Sequence, residues 1–282
     1  MEFDNLITSP FGIGERLILE LLRRGESVFA VYPTAKDVPM SFLGKKNIKY
    51  GFVRFEQDPI LNKSLPRKVK HVFHLFDLQN AGLVKLFKAN TLATLLLLDW
   101  AKGAGVQTFT YLSSGEVYGS GENVTEKAPL QPSGYYAGTK HQAEMLLEFF
   151  RRAFQINIVR LFFPFGKGVE QGFIADMARA IESGEPFESH YGRVSPTFGD
   201  DVITPLIAIR DRKEPGIYNI CGSAVEVKAI AEMIADVLGK SATSVRPGKY
   251  VLCGDSGPVR EKVGFAETPL NKALGRSFED TK

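Results

Sequence analysis

Short apolar runs alternate with amphipathic helical stretches from the beginning of this chain, and that alternation leaves few folds open. Residues 5–8, 27–32, 50–55, 69–75, 108–113 and 157–162 read as strands. Between them, 15–24, 83–103 and 136–154 read as helices. The first of these turns Leu17, Leu19, Leu21 and Leu22 inward and stops at Gly25. Short strands separated by helices imply a parallel sheet covered on both faces. The expected class is therefore α/β with a doubly wound parallel sheet, which binds ligands at the carboxyl ends of its strands.

The pattern thins after Gly166-Lys167-Gly168. A helix at 173–183, a strand at 217–220 and a helix at 227–238 read as a smaller lobe. The expected division is a dinucleotide-binding domain over 1–165 and a substrate-binding lobe over 166–282. Beyond Gly239 the periodicity is weak. The net charge of +3 is carried by scattered basic pairs such as Arg23-Arg24 and Arg151-Arg152, which read as solvated faces with no nucleic-acid partner. Cys221 and Cys253 are the only cysteines, too far apart for a disulfide framework or a zinc site. A reducing, cytoplasmic location without a metal is expected. The acidic start lacks a signal-peptide pattern, and the most apolar stretch, 92–100, is too short to span a membrane.

Tyr136 and Lys140 stand one helical turn apart and share a face. An ammonium beside a phenol favours the phenolate. Such a tyrosine can take a proton from a carbinol or return one to a ketone. Upstream, Thr8-Ser9-Pro10-Phe11-Gly12-Ile13-Gly14 joins the first strand to the first helix. Glycines there let backbone approach a pyrophosphate at a helix N-terminus. The second strand ends in Tyr32-Pro33-Thr34, with no carboxylate for ribose hydroxyls before Asp37. Lys36 is a candidate for a 2′-phosphate.

Several segments together resemble the extended short-chain dehydrogenase/reductase family, the NAD-dependent epimerase/dehydratase group. These are His74-Leu75, the run from Asn90 to Leu97, and Ser113-Ser114-Gly115-Glu116-Val117-Tyr118-Gly119. Further matches lie in Pro132 to Lys140, Arg160 to Gly166, Pro196 to Val202 and Tyr218 to Gly222. The resemblance implies a Rossmann-like fold and a site in which Tyr136 is the acid/base. Lys140 would lower the phenol's pKa and hold the nicotinamide ribose. Ser114 would bond the reacting oxygen, and Asn90 would support a water near the lysine. Glu116 falls where related enzymes keep a glutamate, whereas Gly115 replaces the aspartate of the 4,6-dehydratases. The cofactor, NAD or NADP, would contact Thr8, Ser9, Phe11, Gly12, Ile13, Gly14, Leu75, Phe76, Tyr136, Lys140 and Phe163.

Three departures stand out. Ser9 replaces the loop's first glycine, with one residue missing between Gly12 and Gly14. Phe76-Asp77 replaces a small Ala-Ala, so Phe76 is expected to crowd the cofactor and Asp77 to repel its phosphates. Phe163 replaces an asparagine. The implied activity is an NAD(P)-dependent epimerase/dehydratase type, acting on a carbinol or ketone of a small-molecule substrate such as a sugar nucleotide, in a homodimer. The alternatives are an NADPH-dependent ketone reductase, or a dinucleotide-sensing scaffold without turnover.

Overall fold

The computed structural model describes residues 2–57, 64–212, 214–242 and 245–278. Contacts gather the chain into two units. The first comprises Met1–Ser113, Gly134–Val159 and Leu206–Ile217, and the second Ser114–Ser133, Arg160–Pro205 and Tyr218–Lys282. The sequence reading drew one boundary after residue 165, but the units interleave. The cause is visible around Leu206–Ile217. Arg210 reaches back to Asn5 Oδ1 (2.8 Å) and Glu26 Oε2 (2.6 Å). Gln155 and Asn157 donate to the carbonyls of Arg212 and Ile209.

The first unit carries β1 (Glu2–Thr8), α1 (Ile13–Arg23), β2 (Val28–Tyr32), β3 (Ile48–Phe52) and β4 (Lys68–His74). After α2 (Leu83–Leu86) a π-helical turn over Phe87–Leu92 leads into α3 (Ala93–Gly103) and β5 (Thr108–Ser114). β6 (Gly121–Val124) belongs to the second unit; α4 (Tyr135–Glu148) and β7 (Gln155–Leu161) follow. Seven strands form one sheet in the order Gly216–Ile220, β7, β5, β4, β1, β2, β3. The β3–β2–β1–β4–β5 ladders are parallel. Thr8 lies level with Val31 and His74, and His74 with Tyr111. The carboxyl ends of these strands therefore finish together, where a doubly wound sheet places its ligands.

The helices follow from their apolar spacing. Ile13, Leu17, Ile18 and Leu21 bury one stripe of α1, while Leu19 is exposed, because a period of 3.6 carries it to the far side. Gly25 ends α1 at φ +81°, with Glu26 N donating to Leu21 O. α4 stops at Glu148 rather than 154, its last turn tightening into bonds from Phe149 N to Leu146 O and Phe150 N to Leu147 O. Leu6, Val72, Leu97, Leu147 and Ile158 share one core, each buried side chain contributing about 1.5–3 kcal/mol.

The second unit packs Phe173–Ser183 and Val227–Leu238 around a core that includes Ile174, Met177, Ile230 and Ile234. Its four-stranded sheet runs Val225–Glu226, Tyr191–Val194, Tyr250–Gly254, β6. The weakly periodic tail is thus built structure. Tyr250–Gly254 is a central strand, and the helix Leu270–Phe278 buries Ala273 and Leu274. Cys221 and Cys253 are free and buried. Among the described residues, no helix is long and apolar enough to cross a membrane.

Candidate active site

The turn from β1 into α1 is shaped by backbone. Ser9 and Gly12 hold left-handed conformations at φ +55° and +49°. Gly14 sits in the first turn of α1, and its N–H donates to Phe11 O at 2.8 Å. A Cβ at position 14 would stand 2.2 Å from Ser9 O, so only glycine fits there. Ser9 was expected to obstruct the glycine conformation. It adopts that conformation instead, at a cost of roughly 1–2 kcal/mol. The shortened turn therefore keeps a glycine-like backbone at a changed residue. Ile13 is buried within α1, while the half-exposed Phe11 packs edge-on against Tyr32 at 5.6 Å.

Thr8 and His74 lock this turn to β4. Thr8 Oγ1 accepts from Leu75 N and Phe76 N, both at 3.0 Å, and contacts His74 Nδ1 at 2.9 Å. His74 Nε2 lies 2.9 Å from Thr94 Oγ1, and Thr94 donates its only proton to Asn90 O at 2.7 Å. The ring must then donate from Nε2 and accept from Thr8 at Nδ1. Burial, reinforced by Lys140, pushes His74 down to about 3, so it remains neutral. Phe76 turns its ring onto Phe55 at 4.8 Å and packs against the core. At the end of β2, Asp37 Oδ2 accepts from Thr34 N and Oγ1, both at 2.8 Å, so that carboxylate closes a cap. Lys36 is exposed.

Tyr136 and Lys140 converge in the same unit. Tyr136 opens α4, and Lys140 follows one turn later with a side chain only 1% exposed. Tyr136 OH donates to both oxygens of Asp77, at 3.0 and 2.9 Å. Lys140 Nζ lies 3.2 Å from Asp77 Oδ1, donates to Leu112 O at 2.8 Å, and stands 4.6 Å from the centre of the Tyr111 ring. Burial works against the ammonium, but Asp77 and Tyr111 outweigh it and raise the lysine above its ordinary value. Asp77 also accepts from Gln79 Nε2 at 2.9 Å. The sequence reading took Asp77 as a repellent for phosphates and left it out of the site. The available signal was a carboxylate three residues past β4, at the second position of the family's small Ala-Ala pair.

Asn90 lies in the π-helical turn, a distortion frequent at functional sites. Its Oδ1 accepts from Leu78 N at 3.0 Å; its Nδ2 donates to Leu78 O at 2.8 Å and to Thr139 Oγ1 at 3.0 Å. Thr139 in turn donates to Tyr136 O at 2.7 Å. Asn90 thus fastens the segment carrying Asp77 to the helix carrying Tyr136.

In the second unit, Ser114 Oγ accepts from Glu116 N at 3.1 Å and caps the 3-10 turn Gly115–Tyr118. Glu116 Oε1 accepts from Tyr191 OH at 3.4 Å. A Cβ at Gly115 would lie 2.6 Å from the Phe162 ring, which explains glycine there. Phe163 holds φ +41° and packs against Phe173 and Tyr191 at 5.3 and 5.1 Å. An aromatic residue in that conformation is strained, and such strain gathers at functional positions.

This architecture has relatives of known activity. UDP-glucose 4-epimerase of Haemophilus influenzae is 28% identical over 194 residues, 62% of this chain and 57% of that protein. GDP-6-deoxy-D-mannose reductase of Pseudomonas aeruginosa is 30% identical over 171 residues, 54% of this chain and 56% of that protein. The chain spans a little over half the length of these curated relatives. Among solved structures, MoeE5 in complex with UDP-glucuronic acid and NAD superposes with a TM-score of 0.84 and 26% identity, covering 99% of this chain and 98% of that one. UDP-glucuronic acid 4-epimerase from Bacillus cereus, in complex with NAD, shares the fold at a TM-score of 0.82 and 20% identity, covering 98% and 96%. The sequence profile of the NAD dependent epimerase/dehydratase family matches residues 12–221, and the chain belongs to that family.

Proposed function

We propose that this protein is an NAD(P)-dependent enzyme of the epimerase type, acting on a carbinol or ketone of a sugar nucleotide. The observation that carries this reading is the meeting of a phenol and a buried ammonium at one carboxylate, beside the strand ends of a doubly wound sheet. A buried lysine and a phenol sharing one carboxylate at the strand ends is the kind of charge arrangement that functional sites concentrate. The Gly14 cradle fits a dinucleotide pyrophosphate, and Ser9, Gly12 and Ile13 would line it. Lys140 would hold the nicotinamide ribose. When bound, the dinucleotide supplies the hydride acceptor and donor. Tyr136 moves the proton at the substrate oxygen, and Ser114 bonds that oxygen.

Gly115 supports epimerase or reductase chemistry over 4,6-dehydration. An aspartate there would drive its Cβ into Phe162. Glu116 remains as a side chain that could bond a sugar hydroxyl. We also infer a homodimer through α3 and α4, on which Leu96 and Met145 are exposed, with exposed Phe149 just past the end of α4. Sedimentation as a monomer at all concentrations would remove that inference. A cytoplasmic location agrees with two buried thiols and no spanning helix among the described residues.

Turnover of UDP-glucose and UDP-glucuronic acid with added NAD or NADP is the direct test. Tyr136→Phe should lower kcat roughly 10²–10⁴-fold while dinucleotide binding persists. Undiminished turnover in that variant would take Tyr136 out of the mechanism.

A further inference from the structure

The Asp77 carboxylate changes what Tyr136 and Lys140 can do, and the inference rests on the acid–base reading above. A lysine alone beside a phenol promotes the phenolate. Here the phenol hands its hydrogen bond to an anion, which stabilises the protonated form. The same anion stands 3.2 Å from Lys140 Nζ, so the ammonium meets a counter-charge before it can act on the phenol. Three features keep Asp77 in place. Gln79 binds its other oxygen. Asn90 clasps the backbone of the next residue, Leu78. Thr139 links that clasp to the carbonyl of Tyr136.

We propose that Asp77 is a positioning residue that holds the proton on Tyr136: its carboxylate takes both the phenol's hydrogen bond and the Lys140 ammonium. The free site then presents a phenol near neutral pH, and neutralising or displacing Asp77 makes the phenolate easier to form. The other titratable groups around the cluster leave this balance standing. His74, from β4, is neutral because burial holds it down at about 3. Tyr111, from β5 beneath the ammonium, is neutral because burial pushes it up to about 12. Glu144, on α4, accepts from Ser113 Oγ at 2.6 Å. A site in this state meets a carbonyl as an acid before it can meet a carbinol as a base.

The test is ultraviolet titration of phenolate in the whole protein, with the Tyr136→Phe change in each background as the blank. Asp77→Asn keeps the shape and removes the charge; it should lower the Tyr136 titration by about one pH unit or more. Lys140→Met should raise it, and the Asp77→Asn/Lys140→Met pair should return it near the wild-type value. An Asp77→Asn protein whose phenol titrates at or above the wild-type pH overturns the inference. So does a double variant that stays at the Asp77→Asn value. Should circular dichroism show Asp77→Asn unfolded, Asp77→Ser is read by the same criterion. The titration uses neither substrate nor dinucleotide. A protein inactive toward sugar nucleotides can still pass it, and an active one can still fail it.

Discussion

The turn after β1 and the cluster around Asp77 have both drifted from the family pattern, in opposite ways. The turn is one residue shorter and carries a serine, and Ser9 takes the φ +55° backbone in which glycine would stand at ease. The cluster has kept Tyr136 and Lys140 and changed their electrostatics, since Asp77 now joins them. A site made of backbone tolerates any side chain that can pay the conformational strain. A site made of charges is retuned by a single carboxylate, even with its named residues intact.

The comparison can be broken most forcefully at His74, which ties the two regions together through Thr8 on one ring nitrogen and Thr94 on the other. Its folded pKa of about 3 lies below the unfolded value of 6.5. Its neutral, hydrogen-bonded form therefore stabilises the fold fully above pH 6.5, and that stability is lost as pH falls toward 3. The expected slope is about 1.4 kcal/mol per pH unit in that window. Urea unfolding between pH 7 and 4 should show a shallower slope in His74→Gln than in the wild type; equal slopes would acquit the histidine. Gly14→Ala tests the turn alone. Its Cβ meets Ser9 O, and a loss of roughly 2–3 kcal/mol is expected, together with weakened dinucleotide binding in calorimetry. Ser9→Gly should act in the other direction and most gently. Relief of the left-handed strain, less the entropy of glycine, leaves a gain of roughly 0.5–1 kcal/mol, read as a small rise in Tm. A fall in Tm would mean that the serine side chain supports the turn.

Much of the first unit was legible in the sequence because its signals are local. Apolar runs gave β2, β4 and β5, and the one-turn spacing of Tyr136 and Lys140 put both on α4. The share of the site that escaped is non-local. Asp77 lies 59 positions from Tyr136, and no periodicity reports a contact at that range. The clasp of Asn90 on Leu78 was equally invisible, because it joins a π-helical turn to a loop twelve positions away and spacing encodes neither. Ser9 was marked as an obstacle, since composition says which residue dislikes a conformation and not whether the surrounding packing will impose it. The interleaving of the two units was hidden for the same reason. Nothing near residue 210 in the sequence announces that its arginine belongs with Asn5 and Glu26.

That arginine has a consequence for synthesis. The first unit is completed by Leu206–Ile217, so its Asn5–Glu26–Arg210 cluster is unfinished until residue 210, and the sheet until residue 220, has left the ribosome. Nascent chains shorter than that expose an edge at β7 with no Gly216–Ile220 to cover it. The first unit therefore matures late in synthesis, although most of it comes from the N-terminal half of the chain.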